Sequence, residues 1–435
     1  MSKATRHPCR ACAIVPILGC VYAAVLGPLY DYTNGYNRPI VNAQPGVPNR
    51  IFWPAMAAVT VFLVLRNQVR LGRLTVPRHI ICLLVYVAFA GASVLWAFKP
   101  AISLTRYVQQ VMVISSIVLP AMLAGRTAVL VRGLFLCFAL GAFINLFFIF
   151  NDARSAIKIL GGYPGYFLGK NYLGEFAAAA LLLALYETLH DGWRRAFGIV
   201  VVIVAITLLL LSDSKTAFGL ALICPVLAGI TLTIKKMTGV SAAILLLSIP
   251  LCYIVLSSAS NFNADRISYM LYGDSSFTGR TVIWGFAERE IERKPFVGWG
   301  YQSFWLVGVD APSVVDAPGW VKMMPNAHNG YNDAQLELGY IGFTLLLICI
   351  ISTLHAIGRV AASDFALGWL LLSLALYIIC YNFLESFWMR GFEFLWVTFL
   401  IVVAEAARFL QPLQRLKAAH ASSSPRRPLT LRAEP

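Results

Sequence analysis

The stretch MPNAHNGYNDAQLELGYIGF (324–343) runs without a break into TLLLICII (344–351). The second part suits only an apolar interior. The first part carries His328, Asn329, Asn332, Asp333 and Glu337. Polar groups at the edge of hydrocarbon are costly unless something engages them. The pattern therefore reads as a helix entering a membrane, with its mouth open to water, a partner or a substrate. At helical spacing Asn329, Asp333 and Glu337 share one face, and His328 and Asn332 line the adjacent one. Asn326 is placed to cap the helix.

The rest of the chain agrees with a membrane setting. Of its 435 residues 59% are hydrophobic and 13% charged, and the mean hydropathy is +0.73. Soluble domains are nearer half apolar and a quarter charged. Apolar runs long enough to cross a bilayer core recur along the sequence. Solid apolar runs, rather than short alternating ones, point to an all-α polytopic bundle and away from a closed barrel. Hydropathy gives about 12 transmembrane helices, at 11–30, 51–66, 79–98, 103–124, 129–150, 171–189, 196–212, 216–234, 238–259, 336–357, 364–382 and 391–409. The fourth is interrupted by Arg106, Gln109 and Gln110.

The domain plan follows. Residues 1–259 hold transmembrane helices 1–9, and 260–335 form one large loop. Residues 336–409 hold helices 10–12, and 410–435 form a basic tail read as disordered from its Ser, Pro and Arg content. The net charge is +15. With the N-terminus in the cytoplasm, most of the Lys and Arg falls on the inner segments, as the positive-inside rule requires. Both termini are then cytoplasmic and the large loop is external. The basic excess reads as a topology and lipid-headgroup signal, not as a nucleic-acid footprint. None of the nine cysteines lies in 260–335, so no disulfide framework is expected there. The first apolar run is read as an uncleaved span.

Within the large loop, TGRTVIWGFAEREIERKPF (278–296) reads as an amphipathic helix of about fourteen residues. Thr278 or Thr281 would cap it and Pro295 would stop it. Ile283, Ala287 and Ile291 share a face, which fits a helix lying along the membrane surface or over a cavity.

Ionisable groups near span ends are the candidates for chemistry. On the outer side these include Lys170, Glu175, Asp213, Lys215, Asp333, Glu337, Glu385, Arg390 and Glu393. In this topology His328 is the one outward histidine of six. A single histidine builds no zinc site, so hydrogen bonding or proton transfer suits it better than metal binding. Arg280, beside a helix start, suits phosphate oxygens, with a salt bridge to Asp265, Asp274 or Asp213 as the plainer alternative. Arg266, Lys170 and Lys215 add positive charge. Trp284, Trp299, Tyr301 and Trp305 are either interfacial anchors or flat faces that stack on sugar rings. No phosphate-cradling glycine loop opens a cytoplasmic helix.

The motifs FLGKNYLGE (167–175), LSDSKTAFG (211–219), FTGRTVIW with PFVGWGYQSFW (277–305), NAHNGYNDAQLELGYIGF (326–343) and NFLESFWMRG (382–391) resemble, in order and spacing, the O-antigen ligase/polymerase family of bacterial inner-membrane glycosyltransferases. The resemblance implies a glycosyltransferase C-like bundle with one large periplasmic loop and an active site facing the periplasm. It implies transfer of a glycan from a polyprenyl-pyrophosphate carrier to an acceptor hydroxyl, with no metal and no cofactor. Carried onto this chain, His328 matches the proposed general base and Arg280 the arginine proposed to hold the pyrophosphate. Lys215 stands where many members carry arginine, and it offers a point charge without a bidentate fork. Arg266 and Lys170 are further donor-binding candidates. Asn329, Asn332, Asp333, Glu337, Glu385 and Arg390 would line the polar cavity. The motifs look more like those of exopolysaccharide polymerases than of lipid A-core ligases, which leaves ligase as the second reading. A secondary transporter is the alternative of another class, since intramembrane Glu and Arg also mark ion pathways.

Overall fold

The computed structural model describes residues 10–35, 46–72, 74–124, 127–159, 161–259 and 279–423. Arg266, Asp265 and Asp274, with Phe277 and Thr278 of the FTGRT motif, lie outside these residues. The described residues form a helical bundle. Its helices are α1 (Ala11–Thr33, with a π-turn at Tyr22–Leu26), α2 (Val47–Arg66), α3 (Arg78–Ala92), α4 (Pro100–Leu123), α5 (Thr127–Asn151), α6 (Lys170–Thr188) and α7 (Trp193–Ser212). They continue with α8 (Lys215–Thr238), α9 (Ala242–Ala259), α10 (Arg280–Arg293), α11 (Gly330–Ala361), α12 (Phe365–Tyr381) and α13 (Phe394–Ser423).

Among the described residues nine helices are long and apolar enough to cross a membrane: α1 to α5, α7, α8, α11 and α13. The other three expected spans fall on α6, α9 and α12. The apolar parts of α9 and α12 are short, Ala242–Val255 and Phe365–Tyr381, and α6 is interrupted by the buried carboxyls of Glu175 and Glu187. The chain is a multi-pass helical membrane protein. Its last helix extends through Ser423, past residue 410 where the sequence places the start of the tail.

α13 is the centre of the bundle, with 94% of its apolar window buried inside the protein, whereas α2 has 28%. A helix buried on all sides needs no polar face, and LWVTFLIVVA (395–404) has almost none. α6 is covered in the same way: FAAAALLLA (176–184) is buried throughout, its small residues letting neighbouring helices approach closely.

Two departures from the hydropathy reading concern the site. First, α4 is continuous through its polar interruption. Arg106 Nη1 donates to the main-chain oxygen of Gln302 at 2.6 Å, so its charge helps to hold the large loop. Second, α11 is broken. Gly339 has φ 66°, ψ −170° inside it, and the loop segment Pro295–Gly300 bonds into the break. Trp299 N donates to Leu336 O at 2.9 Å, Gly300 N to Glu337 O at 2.8 Å and Tyr340 N to Pro295 O at 2.7 Å. The carbonyls that a helix break would orphan are thus satisfied by another strand of backbone. Glycine is required where the segments cross. A Cβ on Gly339 would lie 2.2 Å from the carbonyl carbon of Phe296, and one on Gly298 2.4 Å from that of Glu337. This explains why PFVGWG and ELGYIG each carry glycine at the contact.

The described part of the large loop is a compact cap. α10 spans the expected fourteen residues, and its N-cap is Gly279 rather than a threonine. Its apolar face does not rest on a membrane surface. Ile283, Phe286, Ala287 and Ile291 pack on Trp299, Phe304, Trp305, Val321, Ala327 and Leu336. The cap is a second small core seated on the mouth of α11.

The sidedness read from the basic residues gives a direct test. Val309 in the cap is 77% exposed, and Met237 at the end of α8 is 80% exposed. In spheroplasts a membrane-impermeant maleimide is expected to label Val309→Cys, and to label Met237→Cys only after permeabilisation. The reverse pattern would invert the topology.

Candidate active site

The residue that begins the site is His328, one of five non-glycine residues with positive φ among the described residues (φ 48°). Such a conformation is seldom adopted without surrounding support. Here the support is dense. Asn326 Oδ1 accepts from His328 N at 2.9 Å, which turns the chain just before the histidine. Asn329, not Asn326, is the cap of α11: its Oδ1 accepts from Tyr331 N and Asn332 N at 3.0 and 3.1 Å. Gly330 N donates to the main-chain oxygens of Asn382 and Glu385 at 2.8 and 2.9 Å. His328 therefore stands ahead of the helix rather than on its adjacent face.

The connection between α12 and α13 completes the site. Glu385 is central. Its Oε2 accepts from His328 Nδ1 at 2.7 Å, and its Oε1 accepts from Arg280 Nη2 at 2.6 Å. Asn171 Nδ2, in the first turn of α6, reaches Oε1 at 3.5 Å. The side chain of Glu385 is 13% exposed, that of Arg280 17% and that of His328 30%. A carboxylate oxygen only accepts, so an ionised Glu385 would keep a proton on Nδ1 and leave Nε2 as the outward ring nitrogen. This is the orienting arrangement of a base held by a carboxylate. The alternative partners read for Arg280 from sequence did not include Glu385.

A second ionic group lies behind the first. Arg390 Nη2 sits 2.9 Å from Asp333 Oδ2 and 3.0 Å from Glu337 Oε1, all three side chains being largely buried. Asp333 Oδ1 accepts from Trp305 Nε1 at 2.7 Å and from Ala327 N at 3.1 Å. Glu337 Oε2 accepts from Gln302 N at 3.0 Å. Burial opposes the charge on Arg390, but the carboxylates of Glu337 and Asp333 hold its pKa above the ordinary value. Asp333 and Glu337 do share a face, as the spacing predicts. That face is turned to Arg390 and the cap, not to an open cavity. The group ties Ala327, the residue before His328, to the α12–α13 connection. Asn332 is half-buried beside it.

The remaining expected residues separate. Lys170 Nζ lies 3.2 Å from Asp213 Oδ2, and Lys215 is exposed at the start of α8 with no ion pair among the described residues. Of the four aromatics read as sugar-stacking faces, three have no free face. Trp299, Tyr301 and Trp305 are 8%, 1% and 4% exposed. Trp299 Nε1 donates to Glu290 O at 3.0 Å, and Tyr301 Oη donates to Met389 O at 2.7 Å. Trp299 and Trp305 build the cap's core, and Tyr301 packs into the core of the bundle. Trp284 is half-buried and donates to Ala327 O at 3.1 Å. Trp320 and Phe296, 49% and 68% exposed, are open aromatics of the cap. Among the described residues no group of three His, Cys, Asp or Glu side chains converges as a metal site.

Sequence reading missed the parts played by Asn171, Asn382 and Ser386. Asn382 Oδ1 accepts from Phe387 N at 2.9 Å, and Ser386 Oγ accepts from Asn329 N at 3.1 Å, so both shape the turn that presents Glu385. The signal was present: all three lie inside the quoted motifs FLGKNYLGE and NFLESFWMRG.

A multi-pass helical bundle with an oriented histidine at the mouth of a broken helix defines the class. Residues 199–347 match the model of the O-antigen ligase family, the family that the motifs resemble. The chain is also 26% identical over 287 residues to the "Exopolysaccharide production protein ExoQ" of Rhizobium meliloti, an alignment covering 61% of this chain and 62% of that protein. It is 27% identical over 214 residues to the "Putative polysaccharide ligase" of Rickettsia felis, covering 48% of this chain and 52% of that protein. The chain thus spans less than two thirds of the length of each of these relatives. The matched segment 199–347 contains α8, α10, Arg280 and His328, but not Glu385 or Arg390.

Proposed function

We infer that the chain is a membrane glycosyltransferase that moves a glycan from a polyprenyl-pyrophosphate carrier to a sugar hydroxyl on the periplasmic face, and that it polymerises surface polysaccharide. The observation that carries this is the Arg280–Glu385–His328 arrangement: one carboxylate orients an imidazole and holds a guanidinium beside it. The acceptor oxygen would attack the anomeric carbon of the donor. Its proton would pass to His328 Nε2, while the bond from that carbon to the pyrophosphate oxygen breaks. The leaving pyrophosphate takes up the negative charge, and Arg280 is placed to stabilise it. Arg280 would then exchange part of its contact with Glu385 for the phosphate. Lys215, exposed and without an ion pair among the described residues, is a second cation available to the donor; Lys170 is engaged by Asp213. The family match and both relatives' names support a polysaccharide substrate, and ExoQ's name favours chain extension over ligation.

Purified protein with a lipid-linked oligosaccharide tests the reading. Release of carrier with a ladder of longer glycans is expected. A single transfer to lipid A-core would make the protein a ligase. Absence of turnover with several donors, together with substrate flux in vesicles, would make it a transporter. A narrower test concerns the guanidinium. Arg280→Lys keeps the charge but loses the two-pronged geometry, so the KM for the pyrophosphate donor should rise about tenfold or more. An unchanged KM would exclude a specific contact with the donor phosphate.

A further inference from the structure

Away from this site, one seam of the bundle has the shape and charge of a lipid site. α1 and α5 lie side by side and leave a groove with a volume of about 470 Å³ between their flanks. Val129, Arg132, Leu136 and Leu140 form its wall on α5, spaced one turn apart, and α1 contributes Ile17 and Val21. Val129, Leu136 and Leu140 are 42%, 47% and 51% exposed, so the wall is open to its surroundings. From Val129 to Leu140 the groove runs about 16 Å along the helix. One leaflet of a hydrocarbon core of about 30 Å has the same depth.

α1 is irregular along the seam. Pro16 lies inside the helix just before Ile17, and the π-turn Tyr22–Leu26 begins just after Val21. Both features displace a helix from a straight path, whereas α5 contains no proline and no break. An irregular helix beside a regular one cannot fill the seam by ridge-into-groove packing alone.

Arg132 decides the occupant. It stands in the second turn of α5, at the shallow end of the groove, is exposed, and makes no ion pair among the described residues. Everything deeper in the groove wall is apolar. From Arg132 to Leu140 about 12 Å of apolar channel remains, and a guanidinium above it matches a phosphodiester above an acyl chain. We propose that the α1–α5 seam binds an anionic glycerophospholipid, with one acyl chain in the groove and the headgroup phosphate on Arg132. This site is separate from His328 and does not rest on the transfer reaction.

The full chain in nanodiscs of equal phosphatidylglycerol and phosphatidylcholine, stripped stepwise into detergent and followed by native mass spectrometry, tests the proposal. The last lipid retained by the native protein is expected to be enriched about fivefold in phosphatidylglycerol. Arg132→Ala should remove that enrichment, and Arg132→Lys should keep most of it. Leu136→Trp, which fills the groove, should lower retention of both lipids. Helix content and elution volume identify variants that fold as the native protein does. Equal retention of the two lipids by the native protein, or undiminished enrichment in folded Arg132→Ala, would overturn the assignment.

Discussion

His328→Ala is expected to lower glycan transfer by about two to four orders of magnitude, the usual contribution of a positioned general base, while the protein still assembles in the membrane. The side chain is 30% exposed and pairs with Glu385, so removing it leaves the helix contacts in place. Loss of the imidazole does free one oxygen of Glu385. Arg280 still compensates that carboxylate at 2.6 Å, which is why folding should survive. The check is transfer of a lipid-linked oligosaccharide by purified variant and native protein, with thermal unfolding measured in parallel. Retained transfer would remove the base from His328. Glu385→Gln gives a companion reading. It keeps the shape of the side chain but can present an amide N–H to Nδ1, which favours the wrong tautomer. If orientation by Glu385 matters, kcat should fall with little change in acceptor KM.

The second large effect is on stability. Arg390→Ala would leave Asp333 and Glu337 buried without their cation. Breaking a buried ion group by removing one partner costs about 3–5 kcal/mol. The loss should also reach the site, because Asp333 holds Ala327 N, one residue before His328. Unfolding of the detergent-solubilised variant should come at a markedly lower temperature, and the fraction that remains folded should transfer poorly. Arg390→Lys restores a charge but not both contacts, and should recover only part of the loss. An Arg390→Ala protein with native stability would show that the two carboxyls are neutral or hydrated, and that the clamp is not what holds the histidine turn.

These two expectations separate residues that hydropathy alone groups together. Six polar residues read as lining one cavity, Asn329, Asn332, Asp333, Glu337, Glu385 and Arg390, have different tasks. Glu385 faces His328 and Arg280. Asp333, Glu337 and Arg390 form a closed ionic clamp behind them. Asn329 is spent on the end of α11. A sequence shows that several ionisable groups enter a membrane together. It does not show which of them satisfy one another and which remain for a substrate, since that depends on pairings across 57 residues of chain, as for His328 with Glu385 and Asp333 with Arg390.

The aromatics show the same limit from the apolar side. Two Trp, one Tyr and one Phe within eight residues, GWGYQSFW (298–305), suit a sugar-binding platform and a packed core equally well in sequence. Burial of the Trp299, Tyr301, Phe304 and Trp305 side chains answers for the core. Each polar tip of Trp299, Tyr301 and Trp305 is taken by a protein acceptor, as buried indoles and phenols require.

What the sequence determined by itself was local. Apolar runs and the fourteen-residue amphipathic segment are properties of contiguous residues, and they specified a helical membrane bundle with a helix in its large loop. The histidine at the mouth of α11 was legible for the same reason, since polar groups are conspicuous against hydrocarbon. What tertiary structure decided was non-local. It broke α11 at Gly339 so that the backbone of Pro295–Gly300 could pair with it, turned α10 onto the cap's own core, and brought Glu385 from the far side of α12 to the imidazole. The physical reason is that a buried polar group must find a partner wherever the fold supplies one. The identity of that partner is set by packing, which composition, spacing and periodicity do not encode.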